Sequence, residues 1–385
     1  MENFSKNYKI VLSNKRSTPI RWRTSKEEMQ FDLFQDGTSP AYRDVDGKLW
    51  MLCGHERVGH IGVFCGTCLD DLEEVWKARL NFSTGHADFA FNGVRYPEGV
   101  KARGAVWPFG LYICPKTHRF FAFFHNETGW EKQGTGYDAL GQCYKPRYDS
   151  DFRHIGLMHS DDEGQHWTFD RWVLTDEQVC FSHHYNPNGD CALGQEGESL
   201  RMGAGDFSLY VEPNGEWMYI FYNVITINVE KGTWQSCDTY VARTRKREDG
   251  VMGDFLKYYD GAFCEAGNLG KATPIVKSCW HSRVVYSKPL GKFLMSYTKF
   301  EAEKAGQGGL FGGNMEIRAS DDMLHWSEPI VVTNNGQSLT GHYVAVYPDD
   351  KENPASVLGE NTFSVYEIDG GTAMRYTAEL NKNEM

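Results

Sequence analysis

The stretch HSDDEGQHW, residues 159–167, sets three consecutive acidic residues, Asp161, Asp162 and Glu163, between a serine and a tryptophan. Such a cluster reads either as chemistry, a catalytic or calcium-binding group, or as a structural turn. Its surroundings bear on the choice. It follows the apolar run beginning at Ile155, the pattern of a strand running into a tight turn. A second such stretch, IRASDDMLHW, spans Ile317–Trp326, and a degenerate third, IGVFCGTCLDDLEEVW, spans Ile61–Trp76. YVARTRKREDG, Tyr240–Gly250, holds the same place in a fourth unit but lacks the Asp and Trp signature. Self-similarity of this kind signals a repeat architecture.

A second repeated element precedes these turns: a strand, a short polar turn and an aromatic-rich strand, together a β-hairpin. Its copies begin at Ser39, Phe109, Phe207, Ser282 and Tyr343. Five copies over 385 residues give a period of about 77, which suits propeller blades carrying elaborated loops. Sustained 3.6-residue periodicity is nearly absent, and DDLEEVWKARL (residues 70–80) is the best helix candidate. The expected fold is all-β: a single five-bladed β-propeller domain over residues 1–385, with blades starting near 36, 107, 206, 281 and 342.

The turn itself carries a resemblance. Ser160-x-Asp162-x-Gly164-x-x-Trp167 matches the S-x-D-x-G-x-x-W Asp-box of sialidases and other propeller proteins, and Ser320-x-Asp322 with Trp326 is a shortened version. These turns resemble those of five-bladed glycoside hydrolases of the arabinanase/xylosidase and invertase/levansucrase groups. The resemblance implies a peripheral box, away from substrate. The chemistry agrees: an Asp carboxylate accepts turn amides, Gly supplies positive φ, and Trp anchors the hairpin. Asp162 and Asp322 are therefore expected to be structural.

In a propeller the inner strands converge on one axis. The start of each inner strand (its head) and the end of the following strand (its tail) share one face. The head positions hold Asp36, Trp107, Asp206, His281 with Arg283, and His342; the tails hold His55 and Glu56, Asn126 and Glu127, and Asn223. Charged residues are rarely buried unpaired, so such a gathering points to a site. The resemblance implies a nucleophile or base at the first blade's head, Asp36, and further carboxylates from the second and third blades. Asp206 matches in the third. The second blade departs from the pattern with Trp107 at its head, and its carboxylate is Glu127 at the tail. Glycoside hydrolysis needs two carboxyl groups in different protonation states, and a third raises the acid's pKa by repulsion. The roles expected are Asp36 as nucleophile or base, Glu127 as acid, and Asp206 fixing the acid's pKa or the sugar's orientation. Glu56 is the reserve acid and Glu198 a weaker one. His55, Glu56, Trp107, Asn126, Asn223, His281, Arg283 and His342 are the expected substrate contacts. For Asp36, Asp206 and Glu127 the competing role is a blade cap that bonds backbone amides, for Trp107 core packing, for His281 and His342 a satisfied structural histidine, and for Arg283 neutralisation of the acidic cluster.

Composition narrows the classes. Aromatic residues make up 14% of the chain, which suits pleated strands and stacking on sugar rings. The net charge is −12 without a basic run, which excludes a polyanion such as nucleic acid as the expected partner. No stretch of 18 apolar residues is present, so no membrane partner is expected either. The polar N-terminal stretch and ten scattered cysteines give the expectation of a cytoplasmic protein with reduced thiols. CGTC (Cys65–Cys68) is a lone C-x-x-C without further ligands, and no metal site is expected. No cofactor is expected to be required, and a structural calcium ion on the propeller axis is compatible with this reading. Three functions follow: a glycosidase acting on an oligo- or polysaccharide, as the resemblance implies; a polysaccharide lyase using His281, Arg283, His342 and Tyr343; or a non-catalytic glycan-binding propeller. A sialidase-like arginine triad from Arg103, Arg201 and Arg283 has no diagnostic spacing behind it.

Overall fold

The computed structural model describes residues 4–21, 37–56, 60–82, 105–127, 153–177, 199–228, 233–247, 249–302, 313–341, 343–369 and 372–383. The strands group into five blades of a β-propeller. Blade 1 runs Ala41–Arg43, Leu49–Gly54, Ile61–Gly66, Glu73–Lys77. Blade 2 runs Trp107–Ile113, Phe120–Glu127, Arg153–Ser160, His166–Thr175. Blade 3 runs Ser199–Val211, Trp217–Asn228, Thr233–Arg245, Leu256–Tyr259, with Ala262–Ala266 added outside. Blade 4 runs Cys279–Ser287, Lys292–Lys299, Met315–Ser320, Ile330–Val331.

Blade 5 is built from both ends of the chain. Ala345–Tyr347, Thr362–Asp369 and Thr372–Lys382 pair in order, and Tyr8–Arg21 adds antiparallel to the last of them. This closing strand, with Tyr8 opposite Lys382, went unforeseen in the sequence.

Each blade buries both faces against its neighbours, and among the described residues an apolar cluster fills each junction. Trp50, Val63, Leu111 and Trp167 lie between blades 1 and 2, and Phe109, Phe123, Phe207 and Tyr222 between blades 2 and 3. Tyr210, Phe221, Val284 and Met295 join blades 3 and 4, Val285, Ile317, Val346 and Phe363 join blades 4 and 5, and Met51, Phe64, Tyr347 and Tyr366 join blades 5 and 1. The ring is therefore closed by packing at every seam. The high aromatic content is used here, since each buried ring removes a large apolar area from water.

Two expectations need correction. DDLEEVWKARL is not helical: Glu73–Lys77 is the outer strand of blade 1, with Trp76 opposite Val63, and Arg79–Leu80 pairs in parallel with blade 2. Pairing and the packing of Trp76 at the blade 1–2 junction outweigh a weak local helical pattern. Among the described residues the helix is one turn, Phe4–Asn7. Second, Asp206 and His281 lie inside their inner strands rather than at the start, each at a register shift of its ladder.

Candidate functional site

The register shifts build the site. A β-bulge turns the chain and re-aims a side chain, and here the backbone also becomes left-handed, with φ of 41° at Asp206, 53° at His281 and 59° at Tyr343. Non-glycine residues in this region cost about 1–3 kcal/mol each and concentrate at functional sites. The segment before Asp206 reads Gly203-Ala-Gly205. Gly203 has φ +84°, and a Cβ there would lie 2.3 Å from the Arg153 carbonyl oxygen; one on Gly205 would lie 2.6 Å from the His125 ring. The two glycines let blade 3's inner strand press onto blade 2.

That approach assembles a buried cluster. Arg153 Nη1 donates to Asp206 Oδ2 at 3.2 Å, and both side chains are under 10% exposed. The Asp206 amide donates to His125 Nδ1 at 2.8 Å, so this ring nitrogen is an acceptor and the neutral His125 carries its proton on Nε2. Asp206 Oδ1 lies 3.7 Å from His125 Nδ1 and 3.9 Å from His281 Nδ1, beyond hydrogen-bond distance. The His281 ring contacts Tyr343 with centroids 4.1 Å apart and stacks on Trp280. Blades 2 to 5 thus contribute, in order, His125 and Arg153, Asp206, His281 and Tyr343.

Other residues named from the sequence are held by backbone. Glu56 Oε2 accepts the Val106 amide at 3.0 Å, tying the tail of blade 1 to the head of blade 2. Asn223 Oδ1 accepts the His281 amide at 2.8 Å and its Nδ2 donates to the Cys279 carbonyl at 2.7 Å, tying blade 3 to blade 4. Thr298 does the same for blades 4 and 5 by donating to the Gly341 carbonyl. Asn126 Oδ1 accepts the Ala105 amide at 3.1 Å. Tail side chains therefore act as caps that set the blade heads. Trp107, 1% exposed, is enclosed between the rings of His55 and His125, with no open face for a sugar. Arg283 is buried as well: it donates to the Val346 carbonyl at 2.8 Å and lies 4.0 Å over the Tyr347 ring. Burial lowers its guanidinium below the ordinary value, and its position makes it a brace between blades 4 and 5. Arg201 forms a two-bond pair with Asp176, both at 2.7 Å.

Asp36 and His342 lie outside the described residues, as do Glu198 and Arg103. Glu127 ends its strand opposite Arg153 in the ladder; its side chain is outside the described set. His154, next to Arg153, is fully buried, and burial drives its ring down to about 3.

The acidic turns resolve as structure. Asp162 Oδ1 accepts the Ser160 hydroxyl and the His166 amide, Oδ2 meets His166 Nδ1 at 2.7 Å, and the Trp167 indole donates to the Gly164 carbonyl. Asp322 repeats the pattern with Ser320, Leu324 and His325. In the degenerate copy Asp71 accepts the amides of Thr67 and Cys68. Trp167 is fully buried and Trp326 partly so. Among the described residues, one group of three possible metal ligands occurs, Asp44, Asp46 and His118. It joins the first hairpin turns of blades 1 and 2, away from the Asp206 cluster, and Asp44 already accepts the Asp46 and Lys48 amides and the Trp50 indole. No such group lies at the axis among those residues, where calcium would call for several oxygen ligands.

His125 and Arg153 escaped the sequence reading. His125 had a usable signal, since it stands two residues before Glu127 in a strand of period two. Arg153 had none, because only the approach of Gly203 brings it to Asp206.

The sequence matches no protein-family model and no curated protein. In structure the chain resembles five-bladed propeller glycoside hydrolases. A family 117 glycoside hydrolase of the marine bacterium Zobellia galactanivorans is 10% identical, with a TM-score of 0.49 over 97% of this chain and 91% of that one. An inulosucrase of Halalkalicoccus jeotgali is 11% identical, with a TM-score of 0.48 over 95% and 82%. An α-L-arabinofuranosidase of Lactobacillus brevis is 12% identical, with a TM-score of 0.45 over 92% and 94%. At this distance no residue role passes from those proteins to this chain.

Proposed function

We propose that the chain is a glycoside hydrolase, cleaving a glycosidic bond in an oligo- or polysaccharide by carboxylate acid–base chemistry at the end of the axis that carries Asp206. The observation behind this reading is the Asp206 cluster itself. Among the described residues, a carboxylate with one oxygen bonded by arginine and the other without a hydrogen bond stands among histidine and tyrosine side chains, on three left-handed positions of successive blades. Buried polar groups are ordinarily satisfied, and unusual backbone persists where function requires it. Asp36 is proposed as nucleophile or base, Glu127 as acid, and Asp206 as the group that orients the sugar or adjusts the acid. The substrate proposed is a furanoside-containing glycan such as one bearing arabinose, as the resemblance of the Asp-box turns implies. The reaction as proposed needs no cofactor, and calcium on the axis would be structural.

The lyase alternative needs an arginine free to neutralise a uronate. Arg283 is engaged by a backbone carbonyl and the Tyr347 ring, and Arg153 by Asp206, which argues against it.

A panel of aryl glycosides and of plant and microbial glycans tests the proposal by its products. Reducing ends without ultraviolet absorbance are expected; an absorbing unsaturated product means a lyase, and binding without any product a glycan-binding propeller. Glu127→Gln is expected to slow substrates with poor leaving groups far more than activated aryl glycosides, because only the former need protonation. Equal loss on both would remove Glu127 as the acid and make Glu56 the next candidate.

A further inference from the structure

We propose that Arg153 is a positioning residue of this site: by bonding Oδ2 of Asp206 it leaves Oδ1 as the carboxylate oxygen presented to a hydroxyl group of the substrate. The inference rests on the glycosidase reading and assigns to it a residue from a strand that carries none of the carboxylates.

The geometry divides Asp206 into a held half and an open half. Its amide is held by His125 Nδ1 at 2.8 Å, and Oδ2 is held by Arg153 Nη1 at 3.2 Å. Among the described residues, Oδ1 has two nitrogens nearby, at 3.7 Å and 3.9 Å, and neither is within bonding distance. The nearer, His125 Nδ1, already accepts the Asp206 amide proton and so has none to give. A hydroxyl group is the chemistry that fits an open carboxylate oxygen in a residue only 6% exposed. Arginine stays protonated at all relevant pH, so the bond it gives Oδ2 is charge-assisted.

The arrangement is built rather than incidental. Gly203 sits across from Arg153 in a parallel bridge, and any side chain there would strike the Arg153 backbone. A side chain on Gly205 would come within 2.9 Å of Arg153 Cδ. The left-handed turn at Asp206 then brings its carboxylate onto the guanidinium. Without Arg153, the carboxylate would be free to rotate about its own bond, and Oδ1 would lose its direction.

A double-mutant cycle tests this on the aryl glycoside that the wild type cleaves, using wild type, Arg153→Gln, Asp206→Asn and the double variant, with melting temperatures for each. Arg153→Gln is expected to lower kcat/KM about 100-fold, the usual effect of misplacing a substrate-holding group by an ångström. The double variant should be no slower than Asp206→Asn alone, and Arg153→Lys should recover to within about tenfold of wild type. If the Arg153→Gln loss persists undiminished in the Asp206→Asn background, Arg153 is only a brace between blades and the proposal fails. Should Arg153→Gln not fold, the same cycle run with Arg153→Lys carries the comparison, full additivity again overturning it. If the wild type cleaves no glycoside, the glycosidase reading falls by itself. Crystal structures of wild type and Arg153→Gln then decide for Arg153: a rotated Asp206 carboxylate supports the positioning role, and an unmoved one overturns it.

Discussion

Asp162 and Asp206 are both acidic residues in the company of histidine, and they are used in opposite ways. Asp162 is held by its own turn: its partners Ser160 and His166 are two and four residues away in sequence. Asp206 is held by Arg153 and His125, 53 and 81 residues away. Among the described residues, the turn carboxylate accepts bonds on both oxygens and the axial one on a single oxygen. The difference teaches that clustering of acidic residues along the sequence marks a satisfied turn here. The open carboxylate stands alone in its own sequence neighbourhood, and its company arrives only through the fold.

Activity should separate the two regions most sharply. In protein that remains folded, Asp206→Asn is expected to lower kcat by roughly three to four orders of magnitude, while Asp162→Asn leaves it near the wild-type value. A folded Asp162→Asn enzyme with an unchanged melting temperature and no turnover would reverse the assignment. Stability should show the converse dependence. Trp167→Ala removes a fully buried indole from the blade 1–2 junction and is expected to cost about 3–5 kcal/mol in urea unfolding. Trp326→Ala, with a partly exposed ring, should cost less.

Gly203→Ala probes the axial side. A methyl group placed 2.3 Å from a carbonyl oxygen at a φ of +84° is expected to destabilise by about 1–3 kcal/mol. It should also depress kcat, because the strand it displaces carries Asp206. Asp162→Ala is the smaller test on the turn side, at about 1 kcal/mol, through lost turn hydrogen bonds.

Acid should attack the two regions in sequence. Burial holds the His154 ring at about 3, below the 6.5 or so of an unfolded chain, so the unfolded state binds the proton first. The stability this group contributes is complete above about pH 6.5 and declines as the pH falls toward 3. At Asp322 burial raises the carboxyl, but the bonds from His325, Leu324 and Ser320 outweigh it and hold the group down to about 2. Asp162 is likewise lowered, by the His166 and Ser160 bonds acting against burial. Their contribution is complete above about pH 4 and disappears as the pH falls through the folded-state value. Melting temperatures of wild type and His154→Phe between pH 7 and 3 check the order. The His154→Phe curve should stay flat down to about pH 4, and an identical decline in both proteins would remove His154 from the account.

Much of the fold was legible because its instructions are local. Ser160, Asp162, Gly164 and Trp167 bond within one turn, so their spacing is the structure, and period-two strands around short polar turns could only be hairpins. Five such units then left a propeller as the way to bury both faces of every blade. The tails were legible as polar positions but not as caps, because the Asn223 and Glu56 partners belong to the next blade.

By itself, then, the sequence determined the turns, the hairpins and the number of blades, all interactions that span a few residues of chain. Only the tertiary structure decided that Tyr8–Arg21 closes blade 5, that residues 73–77 are strand, and that Arg153 and His125 meet Asp206. The physical reason is that these contacts exist only once the ring is closed. Strand pairing and the blade-junction cores set them cooperatively, across 53 residues of chain in one case and most of its length in another.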